Sequence, residues 1–181
     1  MTDIGTGTYT VLGQIAAEKL GVPMTSFRVA IGARELPPAP GSGGQFGAAP
    51  AGSAALDAGM NLRKAIVEIA VSDPASPLYG GPSERVTFQD GVIAIANRSE
   101  TLAALIGRNR PEGLTAEGEI NPAADGRNWS QHTYGAHFVE VAVDTVTGEV
   151  RTRRMLGVFA AGRILNRKTA RSQLTGGMIW G

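Results

Sequence analysis

Cysteine is absent from this 181-residue sequence, so disulfides, thiolate catalysis, zinc–cysteine sites and iron–sulfur ligation within the chain are excluded. Histidine is scarce: His132 and His137 lie five residues apart, a spacing that matches no familiar metal motif. No nucleophile-elbow motif marks a serine, and no pair of carboxylates suggests general acid–base catalysis. We therefore predict no catalytic residue and no metal ligand in this chain, and we interpret His137 as a structural residue of a strand.

Long apolar runs and an excess of one charge are missing too. No stretch of about 18 apolar residues is present, which predicts that nothing spans a membrane. The first residues lack the basic and apolar regions of a secretory signal. With 17 basic and 16 acidic residues, the chain has no basic excess of the kind that nucleic-acid binding demands. These patterns predict a globular protein without a nucleic-acid partner, and they assign a cytoplasmic location only by default.

The sequence does contain helical and strand periodicity, separated by loops rich in its 25 glycines and 10 prolines. Apolar spacing predicts a helix that ends at Gly21, a second over residues 53–70 and a short one that Ser99 caps. The predicted strands cover residues 27–31, 86–88, 92–95, 114–120, 137–143 and 150–161, with turns at 90–91 and 144–148 and a loop over 127–131. Helices interleaved with hairpins indicate an α+β fold in which mixed sheets have flanking helices.

A basic helix start near residue 166 is the most distinctive chemical feature. Asn166 follows an apolar strand and is placed to cap the next helix through its side-chain oxygen. Backbone N–H groups at such a start, with Arg163, Arg167, Lys168 and Arg171 around them, form a site for an anion. The pattern fits a cradle for a phosphorylated cofactor, but the charges alone favour a solvated basic helix start.

Two glycine-rich turns offer further backbone sites. The turn over residues 5–7 precedes a helix and can present amides to a phosphate, although Thr10 stands where a dinucleotide fingerprint needs its third glycine. The second turn, residues 42–49, lies in a long Pro/Gly loop, where small residues let backbone approach a ligand and Gln45 can donate and accept hydrogen bonds. An ordinary turn and a flexible loop are the alternatives.

Three stretches favour cofactor binding over these alternatives. They are DIGTGTYTVLGQIAAEKLGVP, PPAPGSGGQFGAA and YGAHFVEVAVDTVTGEVRTRRMLGVFAAGRILNRKTARSQLTGG. In this order they resemble the molybdopterin-binding large subunit of the xanthine dehydrogenase/aldehyde oxidase family, and within it the large subunit of bacterial periplasmic aldehyde oxidoreductases. The resemblance covers nearly the whole chain and is weakest over residues 72–128. It implies a molybdopterin-binding domain of α+β fold.

The resemblance implies binding of molybdenum as molybdopterin cytosine dinucleotide. It assigns cofactor contacts to Asp3, Ile4, Gly5 and Gly7; to Ser42, Gly43, Gly44 and Gln45, near the metal; and to Arg163, Ile164, Leu165, Asn166, Arg167, Lys168, Thr169 and Gln173, around the pyrophosphate and pterin. One departure concerns Arg167, where family members usually have proline. Losing proline at the first helical position costs preorganisation, while the added cation favours phosphate.

The resemblance also implies an activity: hydroxylation of an aldehyde or an N-heterocycle with water as the oxygen source. Electrons would leave through iron–sulfur clusters to FAD, both held on partner subunits. The family's catalytic glutamate lies beyond Gly181, and the abrupt ends suggest a fragment of the cofactor-binding domain over residues 1–181, divided into sub-units 1–71 and 84–181. We expect such a fragment to be inactive alone, with any export signal outside it.

Two other classes of function stay open. The first is a non-catalytic binding or interaction module, or a truncated remnant of an enzyme. The second is a small nucleotide-binding protein that uses Arg163 and Lys168, which predicts tight binding of CDP or CMP without molybdopterin.

Overall fold

The computed structural model describes residues 1–44, 47–120, 130 and 132–180. They belong to two compact units, Met1–Asn121 and Pro122–Gly181. The first unit contains helices α1 (Thr8–Leu20), α2 (Pro50–Ser72) and α3 (Leu102–Asn109) and strands β1 (Thr87–Gln89), β2 (Val92–Ile95) and β3 (Arg98–Thr101). The second contains β4 (Tyr134–Val143), β5 (Val150–Ala160) and α4 (Arg167–Trp180). Both sheets are antiparallel, and the predicted α+β class is confirmed.

Helix α1 ends where the sequence predicts, at a glycine. Gly21 adopts a left-handed conformation with φ 58°, and its N–H bonds to the carbonyl of Ala17. A Cβ at this position would lie 2.5 Å from the backbone oxygen of Phe88, so the end of α1 packs directly on β1. The Gly21 carbonyl in turn accepts a hydrogen bond of 2.8 Å from Gly91 N. A single glycine therefore stops the helix and joins it to the sheet.

The predicted hairpin between β1 and β2 is confirmed. Asp90 and Gly91 have φ 50° and 77°, the pair of positive angles that a two-residue type I′ turn requires. The prediction that Ser99 caps the short helix is wrong, because Ser99 lies in β3 and the helix begins at Leu102. Thr101 is the cap, because its Oγ1 accepts from Ala104 N at 3.2 Å. The turn into β3 has no glycine, so the sequence pattern gave no sign of it.

One hydrophobic core holds the first unit together. Helix α2 contributes Ile66 and Ala70, which meet buried residues of β2, α3 and the loop before the sheet: Leu78, Val86, Ile93, Ile95 and Leu105. Residues on both sides of the predicted boundary at 72–83 share this core. The observed division therefore falls after Asn121, and the division into 1–71 and 84–181 does not match it.

Two predicted strands, residues 27–31 and 114–120, are absent from the sheets of the described chain. In both segments half-buried and exposed side chains still alternate, which is the pattern that suggested a strand. The second segment runs along α2, where Asp57 Oδ2 accepts from Glu119 N at 3.0 Å and Asn61 Nδ2 donates to Glu117 O at 2.9 Å. Helix side chains take the place of a partner strand, so no ladder forms.

The second unit is a ribbon of two long strands joined by the predicted turn. Pairing runs from Tyr134 opposite Ala160 to Val143 opposite Val150, with one irregularity between Glu140 and Val141. Backbone N–H groups of Thr147 and Val146 bond to the Asp144 carboxylate and lower its pKa. The predicted strands and turn are confirmed. The loop predicted over residues 127–131 lies largely outside the described residues.

Helix α4 packs against β5. One close contact is at Gly157, where a Cβ would lie 2.6 Å from the sulfur of Met178. The His137 ring meets Phe159 edge-on at 5.1 Å between centroids, a packing contact within the ribbon. Among the described residues, no helix combines the length and apolar character needed to cross a membrane.

Candidate functional site

The first glycine turn is organised by Asp3. Its carboxylate accepts hydrogen bonds from Gly5 N at 2.8 Å, Gly7 N at 3.3 Å and Tyr9 N at 3.4 Å. Desolvation raises the pKa of Asp3, but bonds from the N–H groups of Gly5, Tyr9, Gly7 and Thr8 outweigh it, and the pKa lies below its ordinary value. The amides expected to be free for a phosphate are thus occupied by the chain's own carboxylate. The expectation that this turn offers them to an anion is not met.

The second glycine turn lies beside the first. Ser42 Oγ accepts from Thr2 N at 3.0 Å, and the Ser42 hydroxyl donates to the carbonyl of Thr2. Farther along the loop, a Cβ on Gly47 would lie 3.0 Å from Oγ1 of Thr8. Turns about 40 residues apart in sequence are therefore adjacent at the start of α1. Thr2 is a site residue that sequence reasoning missed, because a threonine in a terminal segment carries no distinguishing pattern.

Three glycines leave backbone open at this place. A Cβ built on Gly5, Gly43 or Gly44 meets no protein atom within 4 Å. Gly5 and Gly44 also have φ of 97° and 50°, conformations that residues with side chains seldom adopt. Exposed main chain without side chains lets a flat ligand approach within van der Waals distance. Ile4 projects beside it with 66% of its surface exposed. Gln45, the remaining predicted contact of this turn, lies outside the described residues.

The basic helix start in the second unit has the predicted cap. Asn166 Oδ1 accepts from Lys168 N at 3.1 Å and Thr169 N at 3.2 Å, and Asn166 O accepts from Ala170 N at 3.0 Å. Thr169 Oγ1 adds a bond of 3.4 Å to the Asn166 carbonyl. Two of the amides that an anion would use at a helix start are therefore already satisfied, so binding there depends on the side-chain charges.

Those charges are unbalanced. Arg167, Lys168 and Arg171 are exposed, and none of them forms an ion pair with a carboxylate in the part of the chain that the structure describes. Cations in the first turn oppose the helix dipole, and the like charges of Arg167 and Arg171, four residues apart, repel each other. Each effect costs the helix a few tenths of a kcal/mol or more, up to about 1 kcal/mol. A bound anion would relieve both.

The other residues of the third group lie near this cluster in sequence. Arg163 and Gln173 are exposed, Ile164 is exposed and Leu165 is half-buried. Thus the structure brings the first two predicted groups together in the first unit, and in the second unit the third group spans the residues before α4 and its first two turns. Among the residues described, no group of three or more acidic or histidine side chains could hold a metal ion.

Comparison with known proteins decides the family. The model of the molybdopterin cofactor-binding domain matches residues 1–181. This chain belongs to the molybdopterin cofactor-binding domain family. The family predicted from the three sequence stretches is thereby confirmed.

Individual relatives agree. The chain is similar to PaoC, the aldehyde oxidoreductase molybdenum-binding subunit of Escherichia coli K12, with 47% identity over 181 residues, which is 100% of this chain and 23% of PaoC. It is 29% identical over 196 residues to the putative xanthine dehydrogenase molybdenum-binding subunit XdhA of the same organism, covering 99% of this chain and 24% of XdhA. The nicotine 6-hydroxylase large subunit of Paenarthrobacter nicotinovorans is 27% identical over 188 residues, 98% of this chain and 22% of that subunit.

A solved structure shares the fold. The Cu,Mo-CO dehydrogenase in its carbon monoxide reduced state superposes with a TM-score of 0.81 at 22% identity, over 98% of this chain and 22% of that chain. The chain spans about a quarter of the length of the curated relatives that it matches.

Proposed function

We propose that this chain binds molybdenum as molybdopterin cytosine dinucleotide and forms the cofactor-binding part of a molybdenum hydroxylase that oxidises aldehydes to acids. The uncompensated cluster of Arg167, Lys168 and Arg171 carries the proposal, because it calls for an anion and the family's cofactor is phosphorylated. When bound, the cofactor supplies the oxidation, in which water is the source of the oxygen atom.

Each unit, taken by itself, offers groups that suit one part of such a cofactor. The open backbone of Gly5, Gly43 and Gly44 suits a flat pterin. The cations at the start of α4 suit the phosphates. Asn166 fixes that helix start by capping it, so the cations sit on ordered backbone. Asp3 does the same for the first turn, by holding the amides of Gly5 and Gly7.

Arg167 has a specific part in this proposal. It replaces the proline that the resemblance leads one to expect, and it stands at the first position of α4. The helix still begins there, because Asn166 caps it without help from a preset φ angle. The replacement therefore adds one positive charge for the phosphates while the helix keeps its start at this residue.

An aldehyde is the proposed substrate because the chain is 47% identical to PaoC, whose name gives its activity. Similarity to a nicotine 6-hydroxylase subunit, at 27% identity, makes an N-heterocycle the second candidate. Since PaoC is named as a subunit, we propose iron–sulfur and FAD subunits as partners of the complete enzyme. We expect the 181-residue chain alone to turn over no aldehyde, because it spans 23% of the length of PaoC.

The test is chemical analysis of the chain purified from a host that makes the dinucleotide cofactor. We expect stoichiometric molybdenum and, after acid hydrolysis, stoichiometric CMP. Molybdenum without CMP would contradict the dinucleotide form. Absence of both, combined with tight binding of free CDP, would replace the proposal with the nucleotide-binding alternative.

A further inference from the structure

The ribbon of β4 and β5 is apolar on both faces. Large side chains of both strands are about half exposed: Tyr134, Phe138, Val139, Val141, Val143, Val150, Leu156 and Val158 lie between 45% and 74%. None of the described residues from 132 to 180 is buried, whereas the first unit has a closed core. A strand with apolar residues on both faces is typical of a sheet that is covered on both sides.

The two free edges of this ribbon differ. In the described chain each strand pairs only with the other, so every second N–H and C=O along each outer edge lacks a strand partner. Strand β5 carries Arg151, Arg153 and Arg154 beside the irregularity in pairing, where Glu140 faces Arg154 but Val141 faces Thr152. Arginines and a bulge are devices that keep further strands from pairing.

Strand β4 lacks these devices. Its ten residues carry one formal charge, at Glu140, and no proline. The segment around Phe138, Val139 and Val141 is rich in aromatic and β-branched residues, which favour strand pairing. An added strand is therefore expected on the edge of β4 and not on that of β5.

We propose that the free edge of β4 and the two apolar faces of the ribbon are the surface that packs against the remaining residues of a molybdenum hydroxylase large subunit, and that one apolar strand of those residues adds to β4. This rests on the proposed function. The relatives supply the occupant: PaoC matches all of this chain, and 77% of PaoC, the part outside the 23% that is matched, is available to cover the ribbon. A second copy of this chain is the competing occupant.

The experiment compares the free 181-residue chain with a chimera in which it replaces the 181 matched residues of PaoC. Amide hydrogen exchange of β4 is measured in both proteins. We expect exchange of the β4 amides that do not pair with β5 to slow by at least about tenfold in the chimera, because a partner strand protects them. Equal exchange rates in the two proteins would overturn the proposal. So would a chimera that fails to accumulate while unmodified PaoC does.

Two matched variants add a second readout. Val141→Lys places a charge on the apolar face of β4, whereas Val146→Lys makes the same change in the turn, where 93% of the side chain is exposed. In the chimera we expect Val141→Lys to lower the yield of folded protein at least about tenfold and Val146→Lys to leave it unchanged. Equal yields contradict the proposal. A defined dimer of the free chain that only Val141→Lys dissociates would instead assign the edge to a second copy.

This experiment separates the two proposals. Protection of β4 in a chimera without molybdenum supports the docking surface while the cofactor assignment fails. A chimera that holds molybdenum and CMP while the β4 amides exchange freely supports the cofactor assignment and contradicts the docking surface.

Discussion

At the scale of single residues, Gly43 separates ligand contact from folding. Its backbone has no positive φ, and a Cβ there meets no protein atom within 4 Å. Gly43→Ala should therefore change the free energy of unfolding by no more than about 0.5 kcal/mol. A methyl group forced against a closely bound pterin costs about 1–3 kcal/mol, so we expect cofactor affinity to fall about tenfold or more.

Gly107→Ala is the matched control, since its Cβ also meets nothing within 4 Å and it lies in α3, outside the candidate site. Affinity is measured by titrating released cofactor under anaerobic conditions, and stability by urea unfolding. If the two variants bind the cofactor equally well, Gly43 does not contact it.

A second residue, Asp73, links the stability of the first unit to pH. Its carboxylate accepts from Asn109 Nδ2 at 2.8 Å, Ala75 N at 2.9 Å and Arg108 Nε at 2.7 Å. These bonds, that of Asn109 first, lower the pKa of Asp73 to about 2. Arg108 also pairs with Glu100 at 2.6 Å, so the cluster joins the end of α2 to β3 and α3.

Because the folded pKa lies below the unfolded value of 3.8, this carboxylate stabilises the fold above about pH 4. The contribution is lost as pH falls through the window from about 4 to about 2. We expect Asp73→Asn to lower the free energy of unfolding at pH 6 and to flatten its decline in that window. Asp90→Asn removes an exposed carboxylate at a turn and is the control. Equal pH profiles for wild type and Asp73→Asn would contradict this assignment.

At the scale of elements, the segment of residues 114–120 depends on one glycine. A Cβ on Gly118 would lie 2.2 Å from both Ala54 O and Ala58 N of α2, and backbone atoms cannot yield as a flexible side chain can. We expect Gly118→Ala to lower the free energy of unfolding by about 1–3 kcal/mol, the usual cost of overpacking. Gly41→Ala, in open space, should change little. Urea denaturation of both variants measures the difference, and a stable Gly118→Ala protein would mean that the segment is free to shift.

Elements with local signals were predictable. Gly21, the Asp90–Gly91 turn and Asn166 each act on neighbouring backbone, and the structure confirms all three. The structure of residues 27–31 and 114–120 could not be predicted, because alternation of side chains does not reveal whether a second strand is available for pairing. Strand β3 was missed since Ala96, at φ 54°, gives no turn signal.

The candidate site was predictable in location more than in chemistry. The positions of the glycine turns and of the basic helix start follow from the sequence, and the hydrogen bond from Thr2 to Ser42 joins the first two. The side chains of Asp3 and Asn166 accept hydrogen bonds from backbone amides that were predicted to bind a phosphate. These bonds depend on side-chain rotamers, which no sequence pattern specifies. The cofactor contacts themselves stay predictions.

At the scale of the whole molecule, the two units differ in burial. The first has a core in which Ile66, Ile93 and Leu105 are at most 2% exposed, while no described residue of β4, β5 or α4 is buried. We expect amide exchange in the core of the first unit to be slower than in the ribbon by about tenfold or more. Mass spectrometry of peptides from α2 and from β4 measures this directly. Uniform exchange would show that the ribbon is protected in the free chain.

The central claim is that the cations at the start of α4 bind the phosphates of the cofactor. The most direct measurement is anaerobic titration of released molybdopterin cytosine dinucleotide into three proteins: the wild type, a variant with Arg167, Lys168 and Arg171 changed to Ala, and a variant of equal charge change with Arg151, Arg153 and Arg154 changed to Ala. Charge-assisted bonds contribute about 1.5–3 kcal/mol each, so the first variant should lose at least about tenfold in affinity, while the second binds like the wild type. Equal losses in both variants, or no binding by the wild type, would contradict the account.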